Sequence, residues 1–137
     1  KFFCEPFSTN FVVTKQLYFE VNDDKTTYLT SISHHDGPVW QLSWAHPKFG
    51  SILSSAGFDK RVNIYKEGHD GNWNPIHSYE GHATSVNTCQ FAPAEFGLIL
   101  ACGSADGNVS ILYHQKFKKI KQTESIKNTY IDNNLFK

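Results

Sequence analysis

The chain has 137 residues, with 13 basic against 13 acidic side chains and a formal net charge of zero. That balance leaves no electrostatic footprint for nucleic acid or for an anionic membrane surface. Cys4, Cys89 and Cys102 form no CxxC pair, so they read as reduced thiols of a cytosolic or nuclear protein. No apolar run is long enough to cross a bilayer, and the first residues lack the apolar stretch of a secretory leader.

In chain order, residues 1–13 are apolar but suggest no element. Residues 14–34 read as a strand over 15–21, a polar turn over 22–25 and a strand over 27–33, the outer part of a preceding sheet. Residues 38–45 alternate Val39, Gln41 and Ser43 against Trp40, Leu42 and Trp44, which predicts a strand with mixed faces. Pro47 and Gly50 mark a turn, 51–56 a short strand, 57–60 a tight turn, and 61–66 another alternating strand. A polar, Gly-containing loop over 67–74 precedes a fourth strand over 75–79. The plan then restarts, with strands at 86–92, 98–103 and 109–115 and a further strand at 117–121. Residues 122–137 read as a polar tail.

The restart is a repeat. His35 to Tyr65 aligns without gaps with His82 to Leu112, 47 positions on. Among the identical pairs are His35/His82, Val39/Val86, Phe49/Phe96, Gly50/Gly97, Leu53/Leu100, Asp59/Asp106 and Ile64/Ile111. Self-similarity at a period of about 40–50 residues marks a stacked or radial repeat architecture. Short strands in fours with turns between them predict an all-β fold of four-stranded antiparallel sheets. The units would be 35–80 and 81–121, the blades of an incomplete propeller. A closed ring takes roughly 4–8 blades, so two units need further sheets, whether from a longer chain or from a partner.

Each unit opens on a Gly-His-like pair (His34-His35, Gly81-His82). Each carries an Asp in its tight turn and closes its third strand on an aromatic or apolar residue. This resembles the WD repeat of β-propellers. Tyr65-Lys66 and Leu112-Tyr113 stand where the Trp-Asp dipeptide would be. The phrases over 36–53 and 85–107 are similar to one subgroup, the Sec-thirteen type of the COPII outer coat and the nuclear-pore Y-complex. The Seh-one nucleoporin type is the nearest rival. The resemblance covers roughly 14–115. It implies a non-enzymatic scaffold, an open propeller whose partner is a large α-solenoid coat or nucleoporin subunit that donates a blade. The location it implies is the cytosolic face of the endoplasmic reticulum and its vesicles, peripheral to the membrane through the coat alone, and the nuclear envelope.

The same resemblance puts His35, Ser55, Asp59 and Tyr65 at the spacing of a structural tetrad. In that arrangement the turn Asp, the loop His, a strand Ser and a closing aromatic are linked by hydrogen bonds. The second set is His82, Cys102, Asp106 and Leu112, cut short because Leu cannot donate. A Ser/His/Asp or Cys/His/Asp grouping also resembles a hydrolase site. Its recurrence in the repeat, and the lack of a nucleophile elbow, favour the structural reading. His34-His35-Asp36 and His69-Asp70 lack metal-ligand spacing, so no metal and no cofactor is expected. Trp40 and Trp73 are the candidate partner contacts, whereas Trp44 aligns with Phe91 and is assigned to the core. The acceptor motif at Asn108 reads as chance, and the Lys-rich stretch at 116–121 as solvated.

Overall fold

The computed structural model describes residues 2–6, 16–22 and 25–113, with side chains described from residue 30 to 113. Among the described residues, ten strands are arranged in three antiparallel sheets. The first holds β1 (Phe2–Pro6), β2 (Gln16–Asn22) and β3 (Lys25–Ile32) in that order. The second has the order β4 (Val39–Trp44), β5 (Ile52–Gly57), β6 (Val62–Glu67), β7 (Trp73–Tyr79). The third runs β8 (Val86–Phe91), β9 (Ile99–Ser104), β10 (Val109–Tyr113). The all-β reading of incomplete propeller blades holds.

The repeat extends to the hydrogen-bond ladder. Leu42 faces Ser55 and Ser55 faces Asn63; 47 positions on, Cys89 faces Cys102 and Cys102 faces Ser110. The first ladder of the second and third sheets slips at the matching place, leaving Trp40 unpaired between Val39 and Gln41 and Asn87 between Val86 and Thr88. Such a bulge bends the strand and re-aims the extra side chain. Single 3-10 turns follow at Pro47–Phe49 and Ala94–Phe96. Both end on a glycine with left-handed φ, 89° at Gly50 and 96° at Gly97, a conformation that a Cβ disfavours.

Several boundaries differ from the sequence reading, among them the start of β3 at Lys25, inside the expected turn. Phe2–Pro6, in the segment given no element, pairs with β2. The fourth strand of the second sheet begins at Trp73 rather than Pro75, because Trp73 and Asn74 pair with Glu67 and Lys66. The polar composition of 67–74 hides this start, since only the side chain of Trp73 turns inward. The strand expected at 117–121, residues 114–115 and the tail over 122–137 lie outside the described residues.

The main core lies between the second and third sheets. Ile52, Ala56, Val62 and Ile64 on one side meet Cys89, Phe91, Leu100, Cys102 and Leu112 on the other. The opposite face of the second sheet contributes Leu53 and Tyr65 to a smaller cluster with Ile32 at the end of β3. Leu42, Trp44 and Trp73 pack against that cluster. Each sheet is thus buried on both faces only where a neighbour stands.

Candidate functional site

At one end of each unit, a loop histidine, a turn aspartate and strand side chains converge. In the first, His35 Nδ1 lies 2.8 and 3.0 Å from the two oxygens of Asp59. Its Nε2 is 2.7 Å from Ser55 Oγ. Asn63 Nδ2 sits 3.2 Å from the same Nε2 and 3.3 Å from His34 O. An amide nitrogen can only donate, so Nε2 is the accepting nitrogen and Nδ1–H donates to the carboxylate. Ser55 then donates as well. Asp59 also accepts from the backbone N–H groups of Asp36 at 3.0 Å and Arg61 at 3.2 Å. One carboxylate thereby ties the loop before β4 to the turn after β5. Burial pushes the Asp59 carboxyl up, but the His35 bond and the backbone donors outweigh it and hold the group below the ordinary range.

Asn63 was not singled out from the sequence, and it occupies the strand position facing Ser55. Tyr65, expected to close the network, lies two residues further on the same face. It is buried beside Leu53, with its ring stacked on His34 at 5.7 Å. A polar residue inside an otherwise apolar strand, as in VNIYK, was the available signal.

The second unit keeps the Asp–His half. His82 Nδ1 lies 3.1 Å from Asp106, which also accepts from Ala83 N and Asn108 N at 2.9 Å each. Desolvation raises the Asp106 carboxyl, and the two backbone donors with His82 bring it down to about 2. The other half is altered. His82 Nε2 is buried without a hydrogen-bond partner among the described residues. Ser110, at the position of Asn63, instead bonds Tyr79 Oη at 2.8 Å, and the Tyr79 ring stands edge-on to His82. Leu112 packs in the main core. The looser His82–Asp106 contact has a local cause. Ser104 stands where the first unit has Gly57, and a Cβ at 57 would come 2.5 Å from His35 Nδ1. Only a glycine lets the histidine close on both oxygens.

Cys102 is fully buried in the inter-sheet core, and burial drives its thiol well above the ordinary range. Cys89 is likewise buried and pushed up to about 11. Both are free thiols, held protonated and out of solvent's reach, the opposite of a reactive thiolate.

The seam between sheets carries polar contacts that sequence reading missed. Cys89 N–H and Phe91 N–H are edge donors of β8, and such groups cost free energy if buried unpaired. Gln41 Oε1 accepts the first at 3.3 Å and Ser43 Oγ the second at 3.1 Å. Lys48 Nζ donates to Ala94 O across the same seam. The mixed faces read for this strand did not say which side meets a second sheet, because alternation alone does not show that one stands there.

Of the two tryptophans picked as contacts, Trp73 is half-buried, with its ring edge-on to Trp44 at 5.4 Å. Its packing lies within the unit, against Trp44 and the cluster of Leu53 and Tyr65. Trp40, on the bulge, is 50% exposed and donates through Nε1 to Ser85 Oγ at 2.8 Å.

The family profile described as "WD domain, G-beta repeat" matches residues 26–66 and 73–111, more than half of the chain. The chain belongs to the WD40-repeat family. Each WD40 match runs from the last strand of one sheet through three strands of the next, β3–β6 and β7–β10, so every repeat straddles two sheets. Among curated proteins, the chain is similar to the "Protein SEC13 homolog" of Drosophila melanogaster, with 49% identity over 84 residues, 61% of this chain and 24% of that protein. It is also similar to "Protein transport protein sec13" of Emericella nidulans, with 41% identity over 69% of this chain and 33% of the relative. The third, "Protein transport protein SEC13-2" of Candida glabrata, is 40% identical over 82% of this chain and 38% of the relative. The chain therefore spans about a quarter to two fifths of the length of these WD40 relatives.

Proposed function

We propose that this chain is a non-enzymatic WD40 scaffold of the Sec-thirteen type, serving protein transport as a coat component and the nuclear pore as a stem component. It acts by offering sheet edges and faces to a large α-solenoid partner that donates a blade. The observation that carries this reading is the stacked repeat: one WD40 template builds the same sheet twice, and the shared face is buried where a neighbouring sheet stands. Val62 is 0% exposed because the third sheet covers it, while Val109, the same template position, is 41% exposed. Ile52 and Ile64 are buried where their counterparts Ile99 and Ile111 are half-open. Sheets that bury this face by stacking, with no reactive thiolate among the described residues, suit assembly rather than chemistry. The likeness to relatives named as protein transport proteins supports the transport part of this reading.

The test is affinity purification of the tagged chain from its native cell, with imaging of the same tag. The expected outcome is stoichiometric recovery of one large helical-repeat protein, with signal at endoplasmic-reticulum exit sites and the nuclear rim. Recovery of no such partner contradicts the proposal. Signal at the nuclear rim alone favours the Seh-one type instead.

A further inference from the structure

Cys89 and Cys102 stand opposite each other in the middle of the ladder between β8 and β9. The bonding of the two strands fixes which kind of opposed pair they form. Cys89 N–H and Phe91 N–H turn away from β9, toward Gln41 Oε1 and Ser43 Oγ of the second sheet. Ala92 N–H, at the alternate position, turns inward and donates to Ile99 O at 2.8 Å. Cys89 and Cys102 are therefore a non-hydrogen-bonded pair. This is the closer kind in an antiparallel ladder, with Cα atoms about 4.5 Å apart and side chains on one face. Disulfides bridge Cα separations of roughly 4.4–6.8 Å. Neither strand has to shift for the two sulfurs to join.

The repeat separates this pair from what the fold requires. The matching positions of the second sheet hold Leu42 and Ser55, and Ser55 is committed to His35 Nε2 at 2.7 Å. Cys102 has no such commitment, since His82 Nε2 lacks a partner among the described residues. The Cys89 sulfur is held only lightly, 3.5 Å from Ser54 Oγ and 3.7 Å from Gln41 O, both across the seam. Ser54 Oγ also lies 3.3 Å from Ser43 O, so its hydroxyl keeps an acceptor when the sulfur turns toward β9. Both thiols are fully buried, and the Cys102 thiol is pushed up first by burial and then by the adjacent Cys89. Buried, protonated thiols are poor nucleophiles, so the pair is inert while the seam is closed. β8 is the edge strand of the described sheet, and its opening exposes Cys89.

We propose that Cys89 and Cys102 are a redox modification site, closing to a reversible cross-strand disulfide when a hydroperoxide reaches them through a transient opening of β8. The exposed Cys89 thiol gives up its proton and its sulfur attacks one peroxide oxygen. The O–O bond breaks, leaving a sulfenic acid on Cys89, and the departing hydroxide takes up the proton as water. The Cys102 sulfur then attacks the Cys89 sulfur. The S–S bond forms, the S–O bond breaks, and the second water leaves with the Cys102 proton. The two thiols lose two electrons, which reduce one hydrogen peroxide to two waters. A dithiol reductant reopens the bond by exchange. Where glutathione keeps thiols reduced, such a disulfide is a transient sensor rather than a structural staple.

The experiment treats the full 137-residue chain with a modest excess of hydrogen peroxide, without denaturant. Remaining thiols are then blocked with iodoacetamide in urea, and tryptic peptides are weighed. Cleavage after Lys66 and Lys116 puts both cysteines in one peptide, 67–116, and leaves Cys4 in another. The expected result is a 67–116 peptide lighter by two hydrogens and carrying no alkyl group. Dithiothreitol should restore two alkylatable thiols, and the oxidised chain should keep the parent's far-UV circular dichroism. Cys102→Ser should abolish the two-hydrogen loss. A 67–116 peptide that stays doubly alkylated, or that gains oxygen without pairing its sulfurs, overturns the inference. It is equally overturned if pairing occurs only in the urea-unfolded chain, or if oxidation erases the β spectrum.

Discussion

At residue scale the two units form an internal comparison. His35 has Ser55 and Asn63 donating to Nε2; His82 has a buried Nε2 with no donor among the described residues. An unsatisfied buried acceptor costs on the order of 1–3 kcal/mol. Cys102→Ser would place a hydroxyl where Ser55 stands in the first unit, and should raise stability by about 1 kcal/mol in urea unfolding. A loss of stability would mean that the Cys102 thiol is needed as an apolar filler. The two turn carboxylates set an acid limit. Both are held below their unfolded value near 3.8, so the unfolded chain binds more protons in that range. Their contribution is present above about pH 4 and is lost as pH falls toward about 2. Urea midpoints should therefore drop across that interval, and Asp106→Asn should make the profile shallower there. The histidines and aspartates of these networks were legible because they recur at one offset. Asn63 and Ser110 differ between the copies, so alignment of the repeats passed over them.

At element scale the ladders follow from local chemistry. Alternation set the strands, and glycines set the turns. Gly57 does its work by close approach rather than by φ: an added Cβ would strike both His35 Nδ1 and Asp59 Oδ1, at 2.5 and 2.7 Å. Gly57→Ala should accordingly cost about 2 kcal/mol by disrupting the network. Gly50→Ala meets no atom within 4 Å, but φ 89° with ψ −175° is a conformation essentially confined to glycine, so its cost of about 1–3 kcal/mol is backbone strain alone. Calorimetry of the Gly57→Ala variant checks this; an unchanged thermal midpoint would refute the packing explanation. Elements whose partners are remote in sequence were harder to read. The inward turn of Trp73 depends on Trp44 and Leu53, and the pairing of Phe2–Pro6 depends on β2; neither is encoded within the segment itself.

At the scale of the whole molecule, the sheets are copies in unequal surroundings. The second is covered on one face by Ile32 of the first sheet and on the other by the third sheet. Among the described residues the third has a neighbour on one face, and its far side leaves Phe96 58% exposed where Phe49 packs against the core. The repeat announced this architecture in the sequence, because each unit's apolar face recurs with no surface of its own to bury it. Which sheet would be covered was not legible, since Val62 and Val109 are the same residue in the same pattern. The most direct measurement is the pair of stability changes for Val62→Ala and Val109→Ala in the same chain. The account predicts a loss of about 2 kcal/mol at Val62 and under about 0.5 kcal/mol at Val109. Equal losses at the two positions would contradict it.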